Sequence, residues 1–327
     1  MCESGGRVRC LVMRTVAGVE GAGQFGERVL VTLGRQRWLD RPSYRLEHGL
    51  GLALAACGDA GERLSNLLHG VWLGHPLHPL ITSFPTGAAA TTVALDVASG
   101  LTGRGSRLRE ASRFALGVGV VASLGAAATG LHDWQHTQEQ ARRVGLVHGG
   151  LNAAATGLYV ASWWDRGRGR HRRGMASSAL GYGITIASAH LGAALVYRFG
   201  TGVDRSGPRP EIPEWTPVLA ATELKAGHGQ RVEVAGVGVV LLRDGEQVLA
   251  VGERCPHLGA PMVDGWVDRN RIVCPWHGSR FEPASGKVLR GPATAPLPCY
   301  PTRVREGMIE LRDGAPHAVA AGTGVAG

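Results

Sequence analysis

Cys255-Pro-His257-Leu-Gly-Ala-Pro261 and Cys274-Pro-Trp-His277-Gly-Ser279 decide the fold of the C-terminal part of this 327-residue chain. Each stretch pairs one cysteine with one histidine, and sixteen residues separate the two pairs. A structural zinc also accepts two cysteines and two histidines, but its usual spacing groups like with like. The mixed pairs suit a two-iron cluster in which one iron takes two thiolates and the other two imidazoles. Replacing anionic sulfur by neutral nitrogen raises the reduction potential, to roughly −150 to +300 mV. One-electron transfer is the chemistry to expect.

The flanks of both stretches, with Gly291-Pro-Ala-Thr-Ala-Pro296 further on, resemble the Rieske iron-sulfur domain family over residues 215–312. The resemblance implies a small antiparallel all-β sandwich whose two ligand loops and one proline-bearing loop enclose a [2Fe-2S] cluster. It implies Cys255 and Cys274 on one iron, His257 and His277 on the other, with Ser279 and Pro292 around them. Ser279 stands where a hydroxyl bonds a bridging sulfide in high-potential members. Phe281 replaces a tyrosine of those members, and Ala260 and Trp276 replace the two cysteines of their loop-loop disulfide, so a lower potential is expected. Rieske oxygenases place a large domain with a mononuclear iron after the cluster. Only about fifteen residues follow Leu311, so an oxygenase catalytic subunit is not expected.

With 44% hydrophobic and 19% charged residues, the chain has room for this domain and a second, apolar one. The net charge of +9 comes mostly from arginine, but no basic stretch is interleaved with aromatics, which argues against a nucleic-acid partner. Cys2, Cys10, Cys57 and Cys299 lack disulfide-framework spacing and read as structural bystanders.

Residues 1–70 hold no apolar core long enough for a signal peptide and no twin-arginine signal, and are expected as a cytosolic or interfacial segment. Four Ala/Gly/Leu/Val-rich runs follow within 71–199, at about 80–99, 114–131, 144–164 and 177–198. Each approaches the ~20 residues a membrane helix needs. Asp96 and His190 inside two runs favour a soluble bundle instead; sparse charge, the Trp163-Trp164 pair and arginine-rich connections favour the bilayer. Gly145, Gly149, Ala153 and Gly157 form a small-residue stripe of the kind that lets membrane helices approach closely.

Trp72-Leu-Gly-His75-Pro-Leu-His78-Pro, Phe84-Pro-Thr-Gly, His132-Asp-Trp134, Arg143-Val-Gly-Leu-Val-His148 and Leu195-Val-Tyr-Arg resemble a bacterial family of four-helix membrane domains, some of which carry a C-terminal Rieske domain. That family brings architecture but no established activity. A multi-domain chain is therefore expected: a four-helix transmembrane bundle, a proline-bearing linker at 200–214, the all-β domain at 215–312 and a disordered tail at 313–327.

An even number of spans puts His75, His78, His132, His136 and His148 at the helix ends on the cluster's side, with His190 in the same leaflet. Three readings stand side by side for them: interfacial capping, a haem b held by His148 and one of His75, His78 or His190, or a quinone or other metal site. Arginine counts alone put the Rieske domain outside, because Arg104, Arg107, Arg109, Arg166, Arg168, Arg170, Arg172 and Arg173 face Arg142 and Arg143. Cytoplasmic cluster assembly argues the reverse, and a multi-pass membrane protein with a cytoplasmic Rieske domain is the expectation. The function expected is that of a membrane-anchored Rieske-type ferredoxin, exchanging electrons with a redox protein, a quinone or its own membrane domain. A subunit of a quinone-linked oxidoreductase and a redox-sensing membrane protein are the alternatives, and a homo-oligomer is left open.

Overall fold

The computed structural model describes residues 25–101 and 105–313. Cys2, Cys10, Arg104 and the tail beyond 313 lie outside them. The helices are α1 (25–34), α2 (Asp40–Ala56), α3 (Gly58–His69), α4 (His78–Leu101), α5 (Gly105–Trp134), α6 (Glu139–Gly167) and α7 (His171–Tyr197). The strands are β1 (Thr216–Ala220), β2 (Gln230–Val234), β3 (Val237–Asp244), β4 (Gln247–Gly252), β5 (Trp266–Val267), β6 (Ile272–Val273), β7 (Arg280–Phe281), β8 (Val288–Arg290), β9 (Cys299–Tyr300), β10 (Thr302–Arg305) and β11 (Met308–Leu311).

Two compact units result. The helical unit holds the described residues up to Gly51, Thr82–Ala127 and Thr137–Phe199. The β-rich unit holds Leu52–Ile81, Ala128–His136 and the described residues from Gly200 on. These boundaries differ from the expected ones: α3, the residues around His75 and the end of α5 belong with the strands.

Within the helical unit the four apolar runs lie in α4 to α7, each extended by polar turns. Two of the four, α5 and α7, are long and apolar enough to cross a membrane. Thr82, Ser83, Pro85 and Thr86 dilute α4, and charged residues open and close α6. The interior of this unit holds a polar network beside its apolar clusters. Arg166 of α6 donates to both carboxylate oxygens of Asp96 in α4, at 2.8 and 2.6 Å, and to Ser112 of α5 and Ser178 of α7. Buried groups of this kind persist when each hydrogen bond is satisfied. One guanidinium therefore ties four helices, and Arg166 leaves the tally of loop charges. Arg142 and Arg143 are likewise paired, with Glu47 and Asp40.

The small-residue stripe is divided: Gly145 is buried, whereas Gly149, Ala153 and Gly157 are exposed. A Cβ added at Gly149 or Gly157 would meet nothing, and Ala153 is exposed. The α6–α7 contact uses the neighbouring face, where the Tyr159 ring lies against Gly181 and Arg166 lies against Gly174. Tyr159 is too bulky to be recognised from a small-residue pattern, but opposite a glycine it packs just as closely.

The β-rich unit contains three antiparallel sheets, ordered β1-β11-β10, β2-β3-β4-β9 and β5-β6-β7-β8. The hairpin β3–β4 explains its layering, because side chains alternate faces along a strand. Val239, Leu241, Val248 and Ala250 enter one core with Tyr300, Ile309 and Leu311. Val240, Leu242, Leu249 and Val251 enter the other, with Cys255, Cys274, Phe281 and Leu297. A strand buried on both faces reads as an unbroken apolar run, as Val239-Val-Leu-Leu242 does. Residues 200–214, expected as a spacer, are packed: Arg205 N–H donates to the Pro256 carbonyl and Ile212 is in the first core.

Candidate metal centre

The two Cys/His stretches form loops of matching design at the edge of the second core. The Gly259 N–H donates to the Cys255 carbonyl and the Gly278 N–H to the Cys274 carbonyl. One residue on, the Ala260 and Ser279 carbonyls accept the N–H of Cys255 and Cys274. Both glycines sit at positive φ, 75° and 67°, where a side chain would strain the turn. The loops differ in where histidine stands, third in one and fourth in the other.

This design brings the four expected residues together. Cys255 and Cys274 are buried, and their sulfurs lie within hydrogen-bonding reach of each other. That contact, with the N–H groups of Trp276 and His277 aimed at its sulfur, pulls the Cys274 thiol down to about 7 while the Cys255 thiol is pushed up. The Nδ1 atoms of His257 and His277 face each other at 3.3 Å, rings nearly perpendicular. Burial, with His277 alongside, holds His257 down at about 3, so its nitrogens are available as neutral ligands. Two buried sulfurs braced by amides and two converging imidazole nitrogens are the donor set a [2Fe-2S] cluster with mixed ligation requires. The residues fit the group.

The third loop closes the site. The Ser279 oxygen accepts a hydrogen bond from the Ala293 N–H at 3.0 Å, which orients its own O–H away from that amide. Pro292 lines a cavity of about 120 Å³ beside His257, together with His75, Asp133, Thr201, Asp204 and Thr294. Asn66 of α3 holds the loop's start, accepting from the Gly291 N–H at 3.0 Å and donating to the Leu289 carbonyl at 3.3 Å. Phe281 is fully buried, and Trp276 is half exposed.

Three further histidines stand beside the pair. The His136 ring lies 5.7 Å from His257 and 5.4 Å from His277. It is 5.3 Å from His69, which is 4.6 Å from His132. His132 and His136 were expected only as helix-end residues. His69 was missed because one histidine closing an amphipathic helix carries no motif.

The residues considered for haem or quinone each have neighbours in the fold. His148 uses both ring nitrogens: Nδ1 meets Ser188 at 2.9 Å and Nε2 meets the Asn152 amide at 3.2 Å. These contacts make His148 a tie between α6 and α7. The His190 ring lies against Gly26, the His78 Nδ1 meets Thr129 Oγ1 at 3.2 Å, and the His75 Nδ1 is 3.1 Å from the Pro76 carbonyl. Burial pushes the Cys299 thiol up to about 12, which keeps it protonated and inert.

A family model described as a Rieske [2Fe-2S] domain matches residues 214–301, and one described as a predicted membrane protein (DUF2231) matches 74–205. The ferredoxin CarAc of Metapseudomonas resinovorans is 32% identical over 96 residues, which are 29% of this chain and 90% of that protein. Apoptosis-inducing factor 3 of Mus musculus is 30% identical over 105 residues, and there the chain spans only 17% of the relative's length. Among solved structures, the ferredoxin of carbazole 1,9a-dioxygenase from Nocardioides aromaticivorans IC177 shares 27% identity. Its TM-score is 0.29, covering 31% of this chain and 98% of that one.

Proposed function

Because the chain belongs to the Rieske [2Fe-2S] family through residues 214–301 and carries a DUF2231 domain over 74–205, we propose that it is a membrane-anchored Rieske-type ferredoxin. In this reading Cys255 and Cys274 hold one iron as thiolates, and His257 and His277 hold the other through Nδ1. The observation that carries it is the convergence of two buried sulfurs and two imidazole nitrogens 3.3 Å apart on matched loops.

The bound cluster supplies one-electron chemistry at a potential set by its ligands and surroundings. The chain's own residues do the rest. The N–H groups of Trp276 and His277 stabilise negative charge on the Cys274 sulfur. Ser279, held by Ala293, donates its O–H toward the cluster and favours the more negative, reduced state. Phe281 offers no second hydroxyl, and Ala260 and Trp276 no disulfide, which supports a potential below that of the quinol-oxidising members.

The helical unit supports anchoring. Its outward side chains include Phe114, Val121 and Leu124, exposed by 75%, 69% and 65%. A soluble protein rarely presents such a surface, whereas lipid requires it. We take α4 to α7 as four spans, with the Rieske domain on the cytoplasmic side. Arg113 over Trp163 and Arg168 over Trp164, at 4.6 and 3.9 Å, suit the headgroup layer. By similarity to ferredoxin components of dioxygenase systems, the partner would be a redox protein.

Purified protein in detergent should show the optical and EPR spectra of a reduced [2Fe-2S] centre with histidine ligands, and Cys274→Ser should abolish both. Zinc bound in place of iron, or spectra unchanged by that substitution, would refute the ligand assignment. A Soret band in the same sample would support the haem reading.

A further inference from the structure

We propose that His136 is a positioning residue for the imidazole pair: it closes the edge formed by His257 and His277, from within the chain, against water and against a soluble redox partner. The inference rests on the cluster reading above. Its geometry is a ring set edge-on against both imidazoles at once, at interplanar angles of 88° and 66°. A single side chain that touches both rings covers the side where a partner would otherwise reach them.

The cover is fixed from several directions. Behind His136 lies His69, whose Nδ1 is paired with Asp133 at 2.9 Å. The His132 Nε2 meets Ser65 of α3 at 3.0 Å, and Gln135 donates back to the His132 carbonyl. Asn66 and Val71 attach the same segment to the third loop and the core beneath the cluster. His69 is 1% exposed, and among the described residues its Nε2 has no hydrogen-bond partner.

One access to the pair is the cavity of about 120 Å³ at His257. It has room for a few waters and none for a protein. Solvent exposure is one of the factors that set the potential of an iron–sulfur centre. Reduction adds a negative charge, which water stabilises, so a closed edge keeps the potential low. Electron exchange with a soluble partner must then use another face.

The test follows deuterium entering the imidazole N–H positions after timed mixing into D2O, read by pulsed EPR on the reduced cluster, alongside an equilibrium redox titration. In the wild type exchange should be slow, because the cover must open first. In His136→Ala it should speed up by about tenfold or more, with a rise in potential. His136→Phe keeps an aromatic ring in place and should match the wild type in both. Exchange complete within the mixing time in the wild type would overturn the proposal without any variant. So would an Ala variant with an intact cluster and unchanged exchange and potential. If the Ala variant fails to assemble, the wild-type time course and the Phe variant decide. Absence of the cluster signal from the wild type would instead sink the ligand assignment.

Discussion

In the β-rich unit Phe281, Leu241 and Ile309 have no contact with solvent, and arginines and glutamates line the outside. In the helical unit Phe114, Val121 and Leu124 stand outside, while Asp96, Arg166, Ser112 and Ser178 are within. Under the proposed membrane anchoring, the two units obey the same rule, that polar groups seek partners and apolar groups avoid water, but under different solvents. Where water surrounds the fold, burial of apolar area drives it. Where lipid does, packing and internal hydrogen bonds must hold helices together.

The largest test of this contrast is at its polar centre. Arg166→Met leaves Asp96 buried without its partner and should cost about 3–5 kcal/mol in an unfolding titration in detergent. Adding Asp96→Leu should recover most of the loss. If the single variant unfolds like the wild type, the interior is wetter than its hydrogen bonds indicate.

A second test exchanges surfaces. Leu124→Lys places charge on an outward position of α5 and should impair membrane insertion by about 3 kcal/mol. Val304→Lys, at a site exposed by 53% in β10, should move stability by no more than about 0.5 kcal/mol. Equal sensitivity at the two positions would mean that both face water, and the spans would have to be withdrawn.

The smallest effect sharpens the cluster side. Ser279→Ala removes a donor that favours the reduced state and should lower the potential by about 60–130 mV, the worth of one charge-assisted hydrogen bond for a single electron. A redox titration that finds no shift would place the Ser279 hydroxyl elsewhere.

The ligand set was legible because its chemistry needs particular residues at short spacing, so Cys255, His257, Cys274 and His277 announce themselves. The apolar strands β3 and β4 were equally plain, as continuous runs that only two-sided burial explains. Strands β5, β7 and β8, two or three residues each, were not, since they exist through pairing rather than through any period of their own. The stripe at 145, 149, 153 and 157 was legible only in part, since Gly145 is buried and the other three are exposed, and spacing places residues on a helix face without saying what lies opposite. His69 and His136 escaped for a related reason. They are 67 residues apart and more than a hundred from the ligands, and only tertiary folding makes neighbours of them.

The Asn66 amide has one more consequence. Strand β8 is the last in its sheet, and the Leu289 carbonyl and Gly291 N–H are hydrogen-bonding groups on its outer side. An open edge of this kind is a template on which a second chain can add a strand. With one side chain bonded to both groups, α3 imitates the missing neighbour and denies that template to other copies of the protein. A helix thus gives this edge the protection that edge strands usually obtain from lysines, prolines or bulges.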